Sequence, residues 1–270
     1  MRTPRLAIIA GALASVFLAG TAHAATAAPA FKPVLTKNPI YKTGKLTFKT
    51  CEEPPVNAGT EDEARVYFDT VLDCLNKAWA PKVRKAGFTF SKPKYTVITK
   101  VGTPTRCGNF PGGAQALYCP VDKRMILLLS DNVVEEPSDP ILMLVLAHEY
   151  GHHVQKLTGM LRHNNRGEYV LDNPRDLGPV RRTELQAQCY AGVFMGSVWD
   201  SLGRSQQEFD LLLKGSHNAG DLSSLGVNAR SSADQTHGTD ANVAYWLKRG
   251  FTGTSAGSCN TWVASKGKTL

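Results

Sequence analysis

The chain has 270 residues and a formal net charge of +8, with 31 lysines and arginines against 23 acidic residues. The basic residues are spread along the chain and accompany no nucleic-acid recognition motif, so the charge does not indicate nucleic acid binding. We interpret it as a solvated basic surface with at most a loose attraction to anionic cell-wall polymers.

The first predicted element is a secretory signal peptide over residues 1–24. Two arginines precede an apolar run (residues 6–20), and an Ala-His-Ala sequence ends at Ala24. The run is shorter than the roughly 20 residues that a membrane helix needs, although an uncleaved membrane anchor is the alternative. No second run approaches this length. We therefore expect a secreted or cell-envelope-exposed protein without stable membrane insertion.

The next predicted elements are an extended N-terminal arm over residues 25–50 and one globular domain over residues 51–270. The arm contains no acidic residue and is rich in alanine, lysine, proline and threonine. Within the domain, a helical apolar period over residues 61–88, with acids first and bases last, predicts a long helix. KYTVITK (94–100) has the composition of a strand. AQALYCP and RMILLLSD (114–131) resemble a hairpin, whose second strand we place at a sheet edge.

Helices dominate the rest of the predicted domain. Pro140 follows a capping residue and starts an apolar helix that reaches the histidine cluster, so this helix should be buried. Further helices are expected near residues 180–202, 205–213 and 240–248. The predicted fold class is α+β: a zincin-like fold with a small antiparallel sheet on a buried helix, followed by a mostly helical C-terminal part.

The histidine cluster has the spacing of a metal site. His148 and His152 lie four residues apart on the predicted helix, so both imidazoles can reach one ion. Glu149 follows the first histidine, where it can address a water molecule as general base; this is the H-E-x-x-H pattern of zinc peptidases. His153 leaves that helix face. The alternative is a histidine-rich helix end in solvent.

A third protein ligand is required, because a catalytic zinc usually has three and one open position. Gln155 and Thr158 stand where a metzincin would need glycine and histidine, which excludes that scheme. Glu184, on the following predicted helix, is the favoured third ligand, since a helix places a carboxylate more firmly than a loop does. The alternatives lie in the intervening loop: His163, Glu168, Asp172 and Asp176.

Six cysteines in an exported chain predict three disulfides, although six cysteines permit 15 pairings. Proximity in sequence favours a short, glycine-rich loop closed by one pair, and elimination gives the other two. The predicted pairs are Cys51–Cys74, Cys107–Cys119 and Cys189–Cys259.

HEYGHHVQ (148–155) paired with ELQAQCYAGV (184–193), and the flanking sequences at 107–128 and 235–251, resemble the bacterial family of putative neutral zinc metallopeptidases. The resemblance implies a zincin-like fold with glutamate as third ligand. Members usually have aspartate where this chain has Gln188, and in related glutamate-zincins that aspartate holds a ligand histidine. Glutamine can accept the same N–H bond without charge, so metal affinity or rate would be lower.

One histidine remains for the chemistry of the substrate carbonyl. His237 could donate to the oxyanion, as could Tyr150 or Tyr245, although a helix-cap or buried hydrogen-bonding role is the alternative. GTSAG (253–257) is followed by no histidine or acid, which argues against a serine hydrolase. The predicted function is an exported metallopeptidase with one Zn²⁺ per chain and a peptide or protein substrate. The alternative is a weakened or inactive zinc-binding protein.

Overall fold

A computed structural model of the chain describes most of the predicted domain and part of the predicted arm. The predicted signal peptide lies outside the described residues. The described residues are 31–54, 59–168, 170, 172–173, 175–217 and 236–269.

Residues 31–50 pack on the domain instead of standing away from it. They contain helix α1 (Pro33–Thr36) and a 3₁₀ turn (Pro39–Lys42). Asn38 Nδ2 donates to the carbonyl oxygen of Thr158 over 2.9 Å, which ties this segment to the end of the central helix. Three of its apolar side chains lie in the main core: Leu35, Ile40 and Leu46. The predicted boundary between arm and domain therefore lies inside one compact unit.

The long helix predicted over residues 61–88 is confirmed. Helix α2 (Glu61–Lys85) has three acidic residues in its first turn and three basic residues in its last, as the helix dipole favours. Thr60 caps it, because its side chain accepts from the backbone N–H of Glu63. Its apolar face enters the core, where the Trp79 ring contacts Tyr190.

The main sheet has three strands in the order β1 (Lys94–Ile98), β5 (Arg124–Leu128) and β4 (Ala116–Cys119). The hairpin of β4 and β5 is antiparallel, as predicted. Strand β1 pairs with β5 in parallel, so the sheet is mixed and not purely antiparallel. A separate two-stranded ribbon joins β2 (Pro104–Thr105) to β3 (Gly108–Asn109).

The placement of β5 at a sheet edge is wrong, because β5 lies between β1 and β4. Four of its five residues are buried, and a strand that is buried on both faces has a continuous apolar run instead of alternation. The run MILL is therefore typical of a central strand. The edge strands of this sheet are β1 and β4.

Two packed helices form the centre of the molecule. After a short helix, α3 (Asp131–Glu135), comes helix α4 (Pro140–Leu157), which is capped by Asp139, whose side chain accepts from Ile141 N over 2.8 Å. Helix α5 (Gly178–Val198) is buried along most of its length. The two helices approach closely at Gly151, where an added Cβ would lie 2.9 Å from the carbonyl oxygen of Ala187.

The remaining described residues form helix α6 (Gln206–His217), helix α7 (Asp240–Gly253) and several 3₁₀ turns. Helices α5 and α7 also meet at glycine: a Cβ on Gly250 would lie 2.0 Å from the carbonyl oxygen of Cys189. Among the described residues, no helix is both long and apolar enough to cross a membrane. The cysteines form the same three disulfides as the predicted pairs: Cys51–Cys74, Cys107–Cys119 and Cys189–Cys259.

Candidate metal centre

Helix α4 presents two imidazoles to one point. Nε2 of His148 lies 3.2 Å from Oε2 of Glu184, and Nε2 of His152 lies 3.1 Å from the same oxygen. The four-residue spacing produces this convergence, because residues i and i+4 share a helix face. The structure therefore brings together the two histidines and the glutamate that the sequence favours as ligands.

Glu184 lies about one helical turn before Ala187, the residue of α5 that approaches Gly151 of α4. This close packing brings the side chain of Glu184 to the histidines. Its side chain is only 7% exposed, and a buried carboxylate requires charged or hydrogen-bonding partners. The alternative ligands have partners in their own loop. His163 contacts Asn164, Glu168 contacts Asn164, Asp172 pairs with Arg162 and Asp176 accepts from the N–H of Gly178.

His148 and His152 each also contact a glutamine through the other ring nitrogen. Nδ1 of His148 lies 3.0 Å from Oε1 of Gln188, the position predicted to support a ligand. Nδ1 of His152 lies 2.9 Å from Oε1 of Gln155. The sequence did not predict this second contact. The sequence feature that could have indicated it is the three-residue spacing of His152 and Gln155, which places both side chains on one helix face.

The orientation of Gln155 fixes the tautomer of His152. Its Nε2 donates to the carbonyl oxygen of Thr183 over 2.8 Å and to Oε1 of Gln186 over 3.1 Å. Because both amide protons are used there, its Oε1 is left to accept from His152 Nδ1. A proton on Nδ1 leaves the Nε2 lone pair directed at the site, which is the form that a metal ligand needs.

The charges in the site are strongly coupled. Burial opposes protonation of His152, but the negative charge and hydrogen bond of Glu184 raise the pKa of His152 to about 9. Burial also opposes ionisation of Glu184, yet the positive charges of His152 and His237 hold the pKa of this carboxyl well below its usual range. A carboxylate that attracts cations in this way suits a metal, which competes with protons for the same nitrogens.

His237 also lies at this centre. Its Nε2 is 3.2 Å from Oε2 of Glu184, and its ring centroid is 5.9 Å from that of His148. The two tyrosines considered with it have other surroundings. The Tyr150 hydroxyl donates to Asn76 over 2.8 Å, and the Tyr245 ring contacts Lys268.

The other two residues of the histidine motif occupy different positions. Glu149 is partly exposed, and its negative charge acts on His152. His153 points away from the centre, as predicted: Nδ1 lies 3.0 Å from the Tyr118 hydroxyl and Nε2 lies 2.7 Å from the carbonyl oxygen of Ser91. Burial lowers the pKa of His153 to about 4, so this ring is neutral and belongs to the packing of α4 on β4.

Zinc fits the residues of this centre. Imidazole nitrogen and carboxylate oxygen are both zinc ligands, and a catalytic site commonly combines two histidines with one glutamate. The donor atoms of His148, Glu184 and His237 all lie within 4.8 Å of one another, and His152 joins them through Glu184.

Comparisons with known proteins agree with this chemistry. The family model described as "Putative neutral zinc metallopeptidase" matches residues 40–262. The chain is 30% identical over 212 residues to "Uncharacterized protein YpfJ" of Escherichia coli (strain K12), which covers 75% of this chain and 72% of that protein. It is 34% identical over 127 residues to "Uncharacterized protein Rv2575" of Mycobacterium tuberculosis (strain ATCC 25618 / H37Rv), covering 44% of this chain and 40% of that one. No solved structure matches the chain significantly.

Proposed function

The chain belongs to the family of putative neutral zinc metallopeptidases, and we propose that it is an exported peptidase that hydrolyses peptide bonds. The observation that carries the proposal is the convergence of His148, His152 and Glu184 with Glu149 beside them. Mixed histidine and carboxylate ligation favours catalysis, because structural zinc sites are mostly rich in cysteine. The predicted signal peptide and the three disulfides support export.

Each side chain of the site has a separate role in the proposed hydrolysis. A bound Zn²⁺ would supply Lewis acidity, which lowers the pKa of a water molecule towards 7 and polarises a carbonyl. Glu149 accepts the proton of the attacking water and then donates it to the departing amine. His237 is the proposed hydrogen-bond donor to the carbonyl oxygen as negative charge develops there. Glu184, His148 and His152 would hold the ion.

An extended peptide is the proposed substrate, and strand β4 is the proposed surface for it. β4 is an edge strand of the sheet, and its Tyr118 contacts His153 of α4. Addition of a peptide strand to an exposed sheet edge uses backbone hydrogen bonds, which do not depend on substrate sequence. This surface replaces β5, whose two sides are already paired.

A Glu149→Gln variant tests the proposal. Glutamine keeps the size of the side chain but cannot accept the proton, so zinc content and thermal stability should be unchanged. Cleavage of a proteome-derived peptide library should fall by roughly 10²–10⁴-fold, the usual contribution of a general base. The measurement is mass-spectrometric cleavage rate with zinc content determined on the same sample.

Glu168→Gln is the matched control, because it makes the same chemical change in the 161–178 loop outside the site. It should leave both zinc content and cleavage unchanged. Equal cleavage by wild type and Glu149→Gln would contradict the assigned base. Zinc-bound wild type that cleaves no peptide would favour the second candidate, a non-enzymatic zinc protein, which the uncharged Gln188 at a usual aspartate position also favours.

A further inference from the structure

Three imidazoles, not two, surround the carboxylate of Glu184. The distances to its Oε2 are 3.2 Å from His148 Nε2, 3.1 Å from His152 Nε2 and 3.2 Å from His237 Nε2. A tetrahedral zinc with bonds of about 2.0–2.1 Å places neighbouring ligand atoms roughly 3.3 Å apart. Each separation, taken by itself, suits two ligands of one ion, and the donor atoms of His148, Glu184 and His237 also lie within 4.8 Å of one another.

We propose that His237 is a fourth protein ligand of this metal, so that the site without substrate is closed by three histidines and one glutamate. The inference rests on the proposed zinc site and adds a ligand to it. A residue that acted only as oxyanion donor would face the open position, where the substrate oxygen arrives. His237 Nε2 instead lies as close to the ligand oxygen as His148 and His152 do.

His237 differs from the other two histidines in how it is held. Its side chain is 48% exposed, against 13% for His148 and 9% for His152. The Nδ1 atoms of His148 and His152 contact glutamine side chains. His237 Nδ1 instead lies 3.1 Å from the hydroxyl of Thr236, its neighbour in the chain. Outer hydrogen bonds orient and strengthen a ligand. His237 is therefore the ligand that is most easily displaced.

Displacement of His237 connects the closed site to hydrolysis. Water and the substrate carbonyl need a position that His237 occupies before substrate binds, so the ring must move for the reaction to begin. Once released at the solvent side of the site, the ring can take up a proton from solvent on Nε2, and this N–H can then donate to the carbonyl oxygen. The same residue would then be a ligand before substrate binding and the predicted oxyanion donor afterwards.

X-ray absorption of the full-length zinc protein counts the imidazole ligands directly. Wild type should show three imidazoles, and His237→Ala and His237→Gln should each show two. His163→Ala is the matched control, because it removes a loop histidine whose partners are Asn164 and Lys156; it should show three. Zinc affinity, measured by chelator competition, should fall at least about tenfold in the His237 variants, since even outer partners contribute 10–100-fold.

Added imidazole extends the test. It should bind the vacant position in His237→Ala, restore a count of three and shift the visible absorption of the cobalt-substituted variant, while leaving the cobalt-substituted wild type unchanged. Two imidazoles in wild type, with equal zinc affinity in wild type and His237→Ala, would overturn the proposal. Loss of cleavage in that variant would then make His237 an oxyanion donor alone and leave the peptidase function intact. Failure of the peptidase function appears separately, as zinc-bound wild type without Glu149-dependent cleavage.

Discussion

At the scale of single residues, His148 and His152 each form a hydrogen bond with the neutral side-chain amide of a glutamine. Gln188 and Gln155 accept from Nδ1 of His148 and His152 over 3.0 and 2.9 Å. An amide oxygen fixes the ring and its tautomer as a carboxylate would, but it adds no negative charge and raises ligand basicity less. The metal affinity of this chain should therefore be open to improvement at these positions.

Gln188→Glu is expected to raise zinc affinity. The substitution keeps the length of the side chain and the acceptor at His148 Nδ1, and it adds a charge that stabilises the metal-bound form. Changes in this outer layer are commonly worth 10–100-fold in affinity or activity. Chelator competition measures the gain, and Gln188→Asp, which is one methylene shorter, should gain less. Unchanged or weaker affinity in both variants would show that the missing charge does not limit metal binding.

Gln155→Glu is the matched comparison, and we expect it to destabilise the metal-free protein. The amide nitrogen of Gln155 donates to Thr183 O and to Gln186 Oε1, and a carboxylate cannot make either bond. Gln186 Oε1 would lose its donor, and a buried acceptor without a donor costs about 1–3 kcal/mol. The free energy of unfolding of the metal-free protein should fall, as measured by denaturant titration. Equal stability of the two variants would contradict the assigned orientation of Gln155.

At the scale of elements, the close contact of α5 with α7 depends on glycine. A Cβ on Gly192 would lie 2.2 Å from the carbonyl oxygen of Leu247, and one on Gly196 would lie 2.1 Å from that of Phe251. Backbone atoms cannot move aside as a flexible side chain can, so α7 would have to shift. Helix α7 begins three residues after His237 in the chain, which makes this packing relevant to the metal centre.

Gly192→Ala should therefore destabilise the protein despite the higher helix propensity of alanine. Propensity alone would stabilise α5 by about 1 kcal/mol, whereas overpacking costs typically 1–3 kcal/mol or more. The expected result is a lower free energy of unfolding by denaturant titration. Gly267→Ala is the control, since a Cβ there meets nothing within 4 Å. Increased stability of Gly192→Ala would show that the two helices do not pack this closely.

Secondary-structure elements could be predicted where the sequence features that indicate them lie within the element itself. Helices α2 and α4 have apolar periods, caps and terminal charges in their own sequence, and the H-E-x-x-H pattern on α4 predicts two ligands. The order of the sheet was not predictable in this way, because hydrophobicity does not state which strand lies beside β5. The contact of Gln155 with His152 and the approach of His237 to Glu184 likewise depend on how separate elements pack.

At the scale of the whole molecule, the N-terminal segment reaches the metal centre through hydrogen bonds. The Tyr41 hydroxyl donates to Leu35 O and accepts from Gln186 Nε2, each over 2.8 Å. Gln186 Oε1 accepts from Gln155 over 3.1 Å, and Gln155 faces His152 over 2.9 Å. Residues predicted as an extended arm therefore help to orient His152, a proposed metal ligand.

Tyr41→Phe tests this connection. Without the hydroxyl, Leu35 O loses a donor and Gln186 keeps its contact with Cys259 O at 3.1 Å, so the amide of Gln186 can turn. The free energy of unfolding should fall by about 1 kcal/mol, the usual net worth of a hydrogen bond. Zinc affinity should also fall, by up to about tenfold, which is the lower end of the effect of a directly contacting outer residue.

Tyr245→Phe provides the comparison, because it removes a tyrosine hydroxyl on α7, where the ring contacts Lys268 and Trp246. It should leave zinc affinity unchanged. A loss of stability in Tyr41→Phe with unaltered zinc affinity would mean that Tyr41 only attaches the segment to the domain. Parallel losses would mean that the order of the segment and the geometry of the metal centre are coupled. Deleting the segment up to Tyr41 should then weaken zinc binding even though no proposed ligand is removed.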